Sequence, residues 1–288
     1  MMIRMSTAVD RAYRDLSPLD VRIQTHRRYS EFEHDVEADV LRAAAVTAAD
    51  RLLDVGPGTG TFLARLSAAG HTAPLAALDF SAESAATCAR IPGVHAARGD
   101  ARALPFADAA FDVVTARHML YHLDEPPTRL PPPPVEETLR VPGALAAVAE
   151  ALRVLRPGGR FAAVVNREAP YPHLMAVLHE VLAAHGITPP PSPDENVHGG
   201  NLPDLVAHSF DAAGMTILRR DNALLFTGPE PVVAYLASIL TLQGVPEEPR
   251  LRQAIIADLD ETARARFRTL PGGIWREPKG YVIVTAIA

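Results

Sequence analysis

Short hydrophobic runs alternate with amphipathic stretches along most of the chain. The runs begin at Leu52, Pro74, Val94, Phe111 and Arg160. Short apolar runs bounded by polar residues are typical of buried strands, and strands that alternate with helices form parallel, doubly wound sheets. The pattern therefore predicts an α/β fold.

Helical patterns precede the first of these runs and return after the last. Residues 10–46 have helical spacing, so we predict an N-terminal helical cap over residues 1–48 that covers the sheet edge or a ligand crevice. Residues 49–288 form the main domain, with insertions on the substrate side near residues 127–143 and 186–270. Later helices are predicted at residues 202–213, 229–242 and 248–267, and strands at 215–226 and 280–287, with Trp275 packed in the turn before the last strand.

Three alternating glycines follow the first apolar run. Gly56, Gly58 and Gly60 come after Asp54 in the pattern D-x-G-x-G-x-G, which predicts a strand, a turn too tight for a Cβ atom and a helix start. The dinucleotide-binding loop has the different spacing G-x-G-x-x-G, so the pattern is wrong for NAD. Asp54 would repel a pyrophosphate but attract an amine, while the helix start attracts a carboxylate. The loop therefore predicts a ligand with an amino-acid head group.

Acidic residues also end the next two predicted strands. Asp79 and Asp100 would lie with Asp54 at the carboxyl ends of successive strands, where α/β sheets bind ligands. Asp79 can accept hydrogen bonds from two ribose hydroxyls, with Phe80 beside an adenine. Each acid alone could be a helix cap, but three in register favour a ligand site.

These motifs resemble those of the class I S-adenosylmethionine-dependent methyltransferases, above all the small-molecule and quinone-precursor enzymes, over roughly residues 50–166. The run ALRVLRPGGRFAAVV at residues 151–165 resembles the turn and fifth strand of that family. The resemblance implies a Rossmann-like seven-stranded sheet, mostly parallel with the last strand antiparallel. It also implies S-adenosylmethionine as the cofactor and S-adenosylhomocysteine as its product. The implied cofactor contacts are Asp54, Gly56, Gly58, Gly60, Asp79, Phe80, Asp100, Ala101 and Arg117.

Residues 116–126, ARHMLYHLDEP, resemble the segment that lines the methyl-transfer site in this family. His118 is the candidate general base, because an imidazole accepts a proton near neutral pH. Tyr29 is the second catalytic candidate, since it lies in THRRY at residues 25–29, where related enzymes often have a segment that closes over the cofactor. Tyr121 and Asn166 are candidate substrate contacts.

Two histidines in the same segment have a spacing known from metal sites. His118 and His122 are four residues apart, which on a helix suits two ligands of one ion. No glutamate lies beside them as in H-E-x-x-H. We therefore predict no metal.

A proline-rich segment at residues 127–141 separates this region from the next helix. Four consecutive prolines at 131–134 favour an extended arm. We interpret the arm as a flap on the substrate side. A harmless surface loop and a recognition ligand for another protein are the alternatives.

The composition and net charge of the chain limit its expected partners and cellular location. The chain has 288 residues and a net charge of −6, and its basic residues form no run, so we predict no nucleic-acid partner. The single cysteine, Cys88, fits a reducing compartment. No stretch resembles a signal peptide or a membrane span, which predicts a cytoplasmic protein with no membrane association. Lys279 is the only lysine among 28 basic residues, which we attribute to genomic base composition.

Together these features predict methyl transfer to a small molecule in secondary metabolism. The acceptor would be an oxygen, a nitrogen or an electron-rich aromatic carbon, as in a phenol or an indole. Such a reaction needs a nucleophile held in line and shielded from water, and requires no metal. C-methylation of a quinone precursor is one alternative, and a non-catalytic cofactor-binding partner is an alternative of another class. We expect a monomer or a homodimer.

Overall fold

The computed structural model describes residues 17–123, 141–190 and 196–288. A seven-stranded sheet with strand order β3-β2-β1-β4-β5-β7-β6 forms its centre. The strands are β1 (Leu52–Val55), β2 (Leu75–Asp79), β3 (Val94–Arg98), β4 (Phe111–Arg117), β5 (Leu155–Asn166), β6 (Thr216–Phe226) and β7 (Trp275–Ile287). Only β7 runs antiparallel to its neighbours. The predicted fold class is confirmed, and the change of direction in the strand order between β1 and β4 is where such sheets bind ligands.

The helices cover both faces of the sheet and one end of it. They are α1 (Ser17–Tyr29), α2 (Val36–Ala43), α3 (Thr61–Ala68), α4 (Ala82–Cys88), α5 (Pro142–Val154), α6 (Pro172–Ala184), α7 (Leu202–Ala207), α8 (Pro229–Ser238) and α9 (Pro249–Phe267), with 3₁₀ turns at Leu120–His122, Ala212–Gly214 and Pro271–Gly273. Local signals start several of them: Asp35 and Ser81 accept hydrogen bonds from backbone N–H groups in the first turns of α2 and α4. Proline occupies the first turn of each helix from α5 to α9.

Two hydrophobic clusters fill the two faces of the sheet. One lies beneath α5 and α7, and the other beneath α2 and α3. Every residue of β1 is buried, as expected for a central parallel strand covered on both sides. This packing holds the paired strands β1, β2 and β4 in place, so their carboxyl ends lie together at one edge of the sheet.

A third hydrophobic cluster lies outside the main sheet, beyond the carboxyl end of β5. There β5 ends at Asn166, opposite Tyr281, but β6 and β7 stay paired as far as Phe226 and Trp275. Helices α6, α8 and α9 pack on this two-stranded extension. Helix α1 joins it, because Ser30 bridges to Leu224 at the end of the helix. We call α1, α6, α8, α9 and the strand extension the helical layer.

Several predicted boundaries were wrong. The helix predicted at residues 229–242 ends at Ser238, and the fifth strand begins at Leu155 and not at Arg160. The last strand begins at Trp275 and not at Gly280, so Trp275 packs within a strand and not in a turn. The sequence Pro278-Lys-Gly280 indicates a turn, but a strand accommodates Pro278 here because β7 has passed the end of β5 and pairs only with β6. The helix predicted at residues 202–213 ends at Ala207, and a 3₁₀ turn follows at Ala212–Gly214.

Two further sequence predictions concern membrane association and the proline arm. Within the part of the chain that the structure describes, every helix is too short or too polar to cross a bilayer. The proline arm predicted at residues 127–141 lies outside the described residues except for Val141.

Candidate functional site

The glycine loop after β1 has the left-handed backbone that its sequence predicts. Gly56, Gly58 and Gly60 have φ angles of 68°, 57° and 75°. A Cβ atom at Gly56 would lie 2.8 Å from the Met119 side chain, and one at Gly60 would lie 2.8 Å from Ile91, whereas Gly58 has nothing within 4 Å. The outer glycines therefore permit close packing, and Gly58 borders open space that a ligand can enter.

Asp54 lies at the end of β1 with its side chain fully buried. One carboxylate oxygen accepts a hydrogen bond from the Thr115 hydroxyl at 2.7 Å, and the other accepts one from Arg117 Nη2 at 2.8 Å. The Arg117 guanidinium also stacks 4.2 Å from the centre of the Phe62 ring and lies 3.9 Å from Glu37. Two carboxylates thus face one guanidinium, and this excess of negative charge suits a cationic ligand.

The buried position of Asp54 changes how it could act on a ligand. Arg117 already occupies the place beside the carboxylate where we expected the amine of the ligand. A direct contact requires Arg117 to move, and otherwise Asp54 acts by holding Arg117. The cofactor roles of both residues stay predictions.

Asp79 joins the end of β2 to the glycine loop. Its two carboxylate oxygens accept hydrogen bonds from the backbone N–H groups of Ser81, at 2.8 Å, and Gly58, at 3.2 Å. Burial raises the pKa of Asp79. Each oxygen keeps a lone pair for a further donor, as binding of ribose hydroxyls requires. The neighbouring Phe80 ring lies 5.7 Å from the guanidinium of Arg98.

Asp100, after β3, is held by its neighbour in sequence. Nε and Nη2 of Arg102, whose side chain is 3% exposed, donate hydrogen bonds to the carboxylate at 2.9 and 2.8 Å. Burial alone would raise the pKa of Asp100, but these hydrogen bonds hold it below its usual range. Ala101 is buried beside it. Any contact of Asp100 with an adenine amino group is therefore shared with Arg102, and the adenine roles of Asp100 and Ala101 stay predictions.

These residues fit S-adenosylmethionine. The open space at Gly58 accepts a ligand against the backbone of the loop, Asp79 offers acceptors for ribose hydroxyls, and the surroundings of Arg117 carry excess negative charge. A phosphate-bearing coenzyme would place its charge against these carboxylates. Asp54, Asp79 and Asp100 lie at the ends of neighbouring strands, as their positions in the sequence predict.

His118 follows β4 and has a left-handed backbone with φ of 50°. Its N–H donates to the Val164 carbonyl at 2.8 Å, which fixes it at the carboxyl ends of β4 and β5. Burial, helped by the charge of Arg117, lowers the pKa of His118 to about 4. The imidazole is therefore neutral at pH 7 and has a lone pair to accept a proton. The lowered pKa also makes His118 a weaker base than a free imidazole, and its role as the general base stays a prediction.

The spacing of His118 and His122 does not place them on one helix. His118 precedes the 3₁₀ turn in a left-handed conformation, so the argument from helical spacing fails. Within the described ranges, no three potential ligands are grouped around a common point.

The remaining predicted residues lie in the helical layer, in the 3₁₀ turn after β4 and at the end of β5. The Tyr29 ring packs on Phe226 with 5.2 Å between centroids, in the third hydrophobic cluster. Tyr121 packs edge-on against His122 at 4.5 Å. The carbonyl of Asn166 accepts a hydrogen bond from the N–H of Gly199 at 2.8 Å. Their roles stay predictions.

Sequence reasoning missed a polar cluster that joins α1 to β7. Lys279 Nζ lies 3.1 Å from His26 Nδ1 and donates to Ser30 Oγ at 2.5 Å. The other ring nitrogen of His26 lies 3.3 Å from the Tyr171 hydroxyl, and the Tyr235 ring packs against both aromatic rings. We call these five residues the Lys279 cluster. The available signals were the single lysine and the position of His26 inside residues 25–29, where related enzymes often have a segment that closes over the cofactor.

Burial changes the charge states of this cluster. It lowers the pKa of Lys279 to about 8. The pKa of His26 falls to about 3, because the ring is buried and because Lys279 and His118 oppose its protonation. His26 is therefore neutral at pH 7, and it lies close enough to His118 for their charges to interact. The Lys279 cluster and His118, the predicted base, therefore lie close to each other.

Comparisons with known proteins agree with the geometry. A family model described as a methyltransferase domain matches residues 53–131. A ubiquinone/menaquinone biosynthesis C-methyltransferase of Dinoroseobacter shibae is 36% identical over 140 residues, which cover 45% of this chain and 48% of the relative. The chain thus spans about half the length of the first curated relatives that it matches. A malonyl-acyl-carrier-protein O-methyltransferase of Methylococcus capsulatus is 31% identical over 243 residues, which cover 82% of this chain and 78% of the relative.

Solved structures agree on the fold. A phosphoethanolamine N-methyltransferase of Haemonchus contortus matches with a TM-score of 0.53 and 12% identity, over 99% of this chain and 60% of that one. The 4+2 cyclase SpnF matches with a TM-score of 0.51 and 20% identity, over 100% and 98%. At these identities the likeness concerns the fold alone.

The glycine loop, the three strand-end acids and the long match to a methyltransferase relative lead to one assignment. The chain belongs to the class I S-adenosylmethionine-dependent methyltransferases, and S-adenosylmethionine is its cofactor.

Proposed function

We propose that this methyltransferase acts on an oxygen, a nitrogen or an electron-rich aromatic carbon of a small molecule, in secondary metabolism. The observation that carries the proposal is the position of the Lys279 cluster, which lies between α1 and the sheet and close to His118. Burial lowers the pKa of both His26 and His118, so both rings are neutral at pH 7. A small molecule enclosed there would be shielded from water, as methyl transfer requires.

The chemistry assigns simple tasks to the chain. S-adenosylmethionine supplies a methyl group on a positively charged sulfur, which is already a good leaving group. The chain then has to hold the acceptor close and in line with that methyl group. Neutral His118 accepts the acceptor's proton where the nucleophile is a hydroxyl or an amine, and it is not needed for a nucleophile that carries no proton.

C-methylation of a quinone precursor is the second candidate. The similarity to ubiquinone and menaquinone C-methyltransferases favours it, although that similarity covers under half of this chain. The O-methyltransferase from Methylococcus capsulatus matches over a larger share, which supports an oxygen acceptor. Family membership argues against the non-catalytic alternative.

The proposal also covers the kind of acceptor molecule and the oligomeric state of the protein. A net charge of −6 without a basic run supports a small-molecule acceptor over a nucleic acid. We propose a cytoplasmic monomer or homodimer, which light scattering on the purified protein would distinguish.

The test is an acceptor screen with direct detection of both products. The purified enzyme is incubated with S-adenosylmethionine and a panel of phenols, indoles, organic acids and a demethylated naphthoquinol. Mass spectrometry measures S-adenosylhomocysteine and a 14 Da gain in the acceptor. We expect turnover of a phenol, an indole or an organic acid. Turnover of the naphthoquinol alone would select the second candidate, and tight cofactor binding without product from any acceptor would contradict both.

A further inference from the structure

The Lys279 side chain is half-buried and has no acidic partner among the residues that the structure describes. Its ammonium contacts two groups that are neutral at pH 7, the imidazole of His26 and the hydroxyl of Ser30. Across residues 17–123, 141–190 and 196–288, no carboxylate forms an ion pair with it, and burial is the single cause of its lowered pKa. The buried guanidiniums of Arg102 and Arg117, by contrast, each pair with an aspartate at 2.8 Å. A buried ammonium without a counter-ion is costly, and natural proteins rarely keep one without a use.

The groups around Lys279 make this deficit of negative charge larger. From α1, Arg22 and His26 face the same region, and from the end of β4, His118 does so. Tyr171 and Tyr235 contribute neutral rings. Among the described residues, the titratable groups that act on His26 are thus cationic or neutral at pH 7. The carboxylate of Glu277, two residues before Lys279 on β7, is paired with His173 and Trp275. The electrostatic potential beside Lys279 therefore favours an anion.

The hydrogen bonds of the cluster leave one donor direction on the ammonium. An ammonium group has three N–H bonds, and the contacts to His26 and Ser30 use two of them. When Lys279 donates to Nδ1 of His26, the proton of the neutral ring lies on Nε2, toward the Tyr171 hydroxyl. His26 therefore fixes the position of the ammonium and adds no charge of its own.

We propose that Lys279 binds a carboxylate on the methyl acceptor, so that the acceptor is a small organic acid. This inference rests on the proposed function, because it takes the region between α1 and β7 as the acceptor site. The carboxylate supplies the missing counter-ion and accepts the third N–H bond of Lys279. A singly charged anion matches one ammonium, whereas a doubly charged phosphate would keep an unpaired charge. The rings of His26, Tyr171 and Tyr235 contact the organic body of the acid.

The single lysine of the chain allows a direct test by NMR. Protein labelled with ε-¹³C lysine gives one side-chain signal, which is Lys279 without further assignment. The signal is titrated with pH in the presence of S-adenosylhomocysteine, first alone and then with acetate, benzoate or phenylacetate. We expect a pKa near 8 without an acid. At least one of the acids should raise it by about one unit or more, because a nearby carboxylate stabilises the charged form. The matched amides, acetamide, benzamide and phenylacetamide, should leave it unchanged.

Two variants check the origin of the effect. Lys279→Met should abolish the heat of binding of the responding acid in calorimetry and raise the KM for an acid acceptor at least tenfold. Arg276→Met removes the same charge from an exposed site on the same strand, where Arg276 pairs with Glu31, and should leave acid binding within twofold of the wild type. Equal losses in both variants would point to net charge and overturn the proposal.

The outcomes separate this inference from the function on which it rests. A lysine pKa near 10.5 that no carboxylate moves would overturn the inference. If the enzyme methylates neutral acceptors and no acid shifts the lysine pKa, the inference about Lys279 is also overturned. The proposed methyltransferase function would remain valid in that case. A lysine that responds to acids in a protein that methylates no small molecule would keep the anion site and reject the proposed function.

Discussion

The cofactor side of this protein and the proposed acceptor side differ in how their charged groups are paired. On the cofactor side, Asp54 pairs with Arg117, and Asp100 pairs with Arg102. Asp79 accepts two backbone hydrogen bonds. On the acceptor side, Lys279 has neutral partners only, among the residues described. The chain itself therefore pairs the charges of the first site, whereas we propose that a ligand supplies the counter-charge of the second.

The largest expected effect comes from breaking a pair on the cofactor side. Asp54→Ala removes the partner of Arg117 inside the protein, and we expect it to lower the free energy of unfolding by about 4 kcal/mol. Asp260→Ala is the control, because Asp260 forms an exposed pair with Arg264 on α9 and should cost much less stability. Urea denaturation measures both. Similar losses in the two variants would show that the Asp54 pair is no more important than a surface pair.

The next effect concerns the predicted base. His118→Ala should lower kcat about 100-fold for an acceptor that loses a proton, while affinity for S-adenosylhomocysteine changes less than about threefold. Tyr29→Phe should have a much smaller effect, because the Tyr29 ring packs on Phe226 in the helical layer and Phe preserves that contact. Steady-state kinetics and calorimetry measure the two quantities. An equally large loss of kcat in Tyr29→Phe would support the catalytic role predicted for Tyr29 from the sequence.

A methyl group in the glycine loop should act on binding more than on stability. Gly58→Ala places a Cβ atom in the open space beside the loop, and we expect cofactor affinity to fall about 30-fold, or about 2 kcal/mol. Gly70→Ala is the matched control, since Gly70 also has a left-handed φ, 80°, and nothing within 4 Å, but it follows α3. Both variants should lose about 1 kcal/mol of stability from backbone strain. A loss of cofactor affinity in both would make strain, and not the added methyl group, the cause.

The smallest expected effect is a gain in stability, whereas the substitutions above cause losses. Lys279→Met removes a half-buried ammonium without a counter-ion and keeps most of its apolar stem, so we expect the free energy of unfolding at pH 7 to rise by about 1–2 kcal/mol. The pH dependence follows from the pKa, which is about 8 in the folded protein and about 10.5 in the unfolded chain. Between these values the unfolded chain binds more protons, so Lys279 makes wild-type stability rise with pH.

The stability difference between Lys279→Met and the wild type should therefore become smaller as the pH increases. Thermal unfolding of wild type and Lys279→Met at pH 7 and pH 10 measures this difference. A variant less stable than the wild type at both values would indicate that Lys279 stabilises the folded protein, contrary to the contrast between the two sides.

The sequence predicted the cofactor side because its parts are local. Gly56, Gly58 and Gly60 are adjacent to the strand that they terminate, and their left-handed backbones follow from the absence of a Cβ atom. The positions of Asp54 and Asp79 at strand ends follow from apolar runs alone. Their partners did not follow, because the Arg117 guanidinium reaches Asp54 only when β4 pairs with β1.

The sequence by itself determined the α/β fold, the methyltransferase family and the cofactor, because strand runs, glycine spacing and strand-end acids are short-range patterns. Only the tertiary structure decided the environment of Lys279, since His26, Tyr171 and Tyr235 come from α1, the start of α6 and α8, far apart along the chain. It also decided that β7 begins at Trp275, because the strand is stabilised by pairing with β6 and by the helices packed on it. Burial and partners are properties of the folded chain, and a lone lysine in a sequence carries no sign of either.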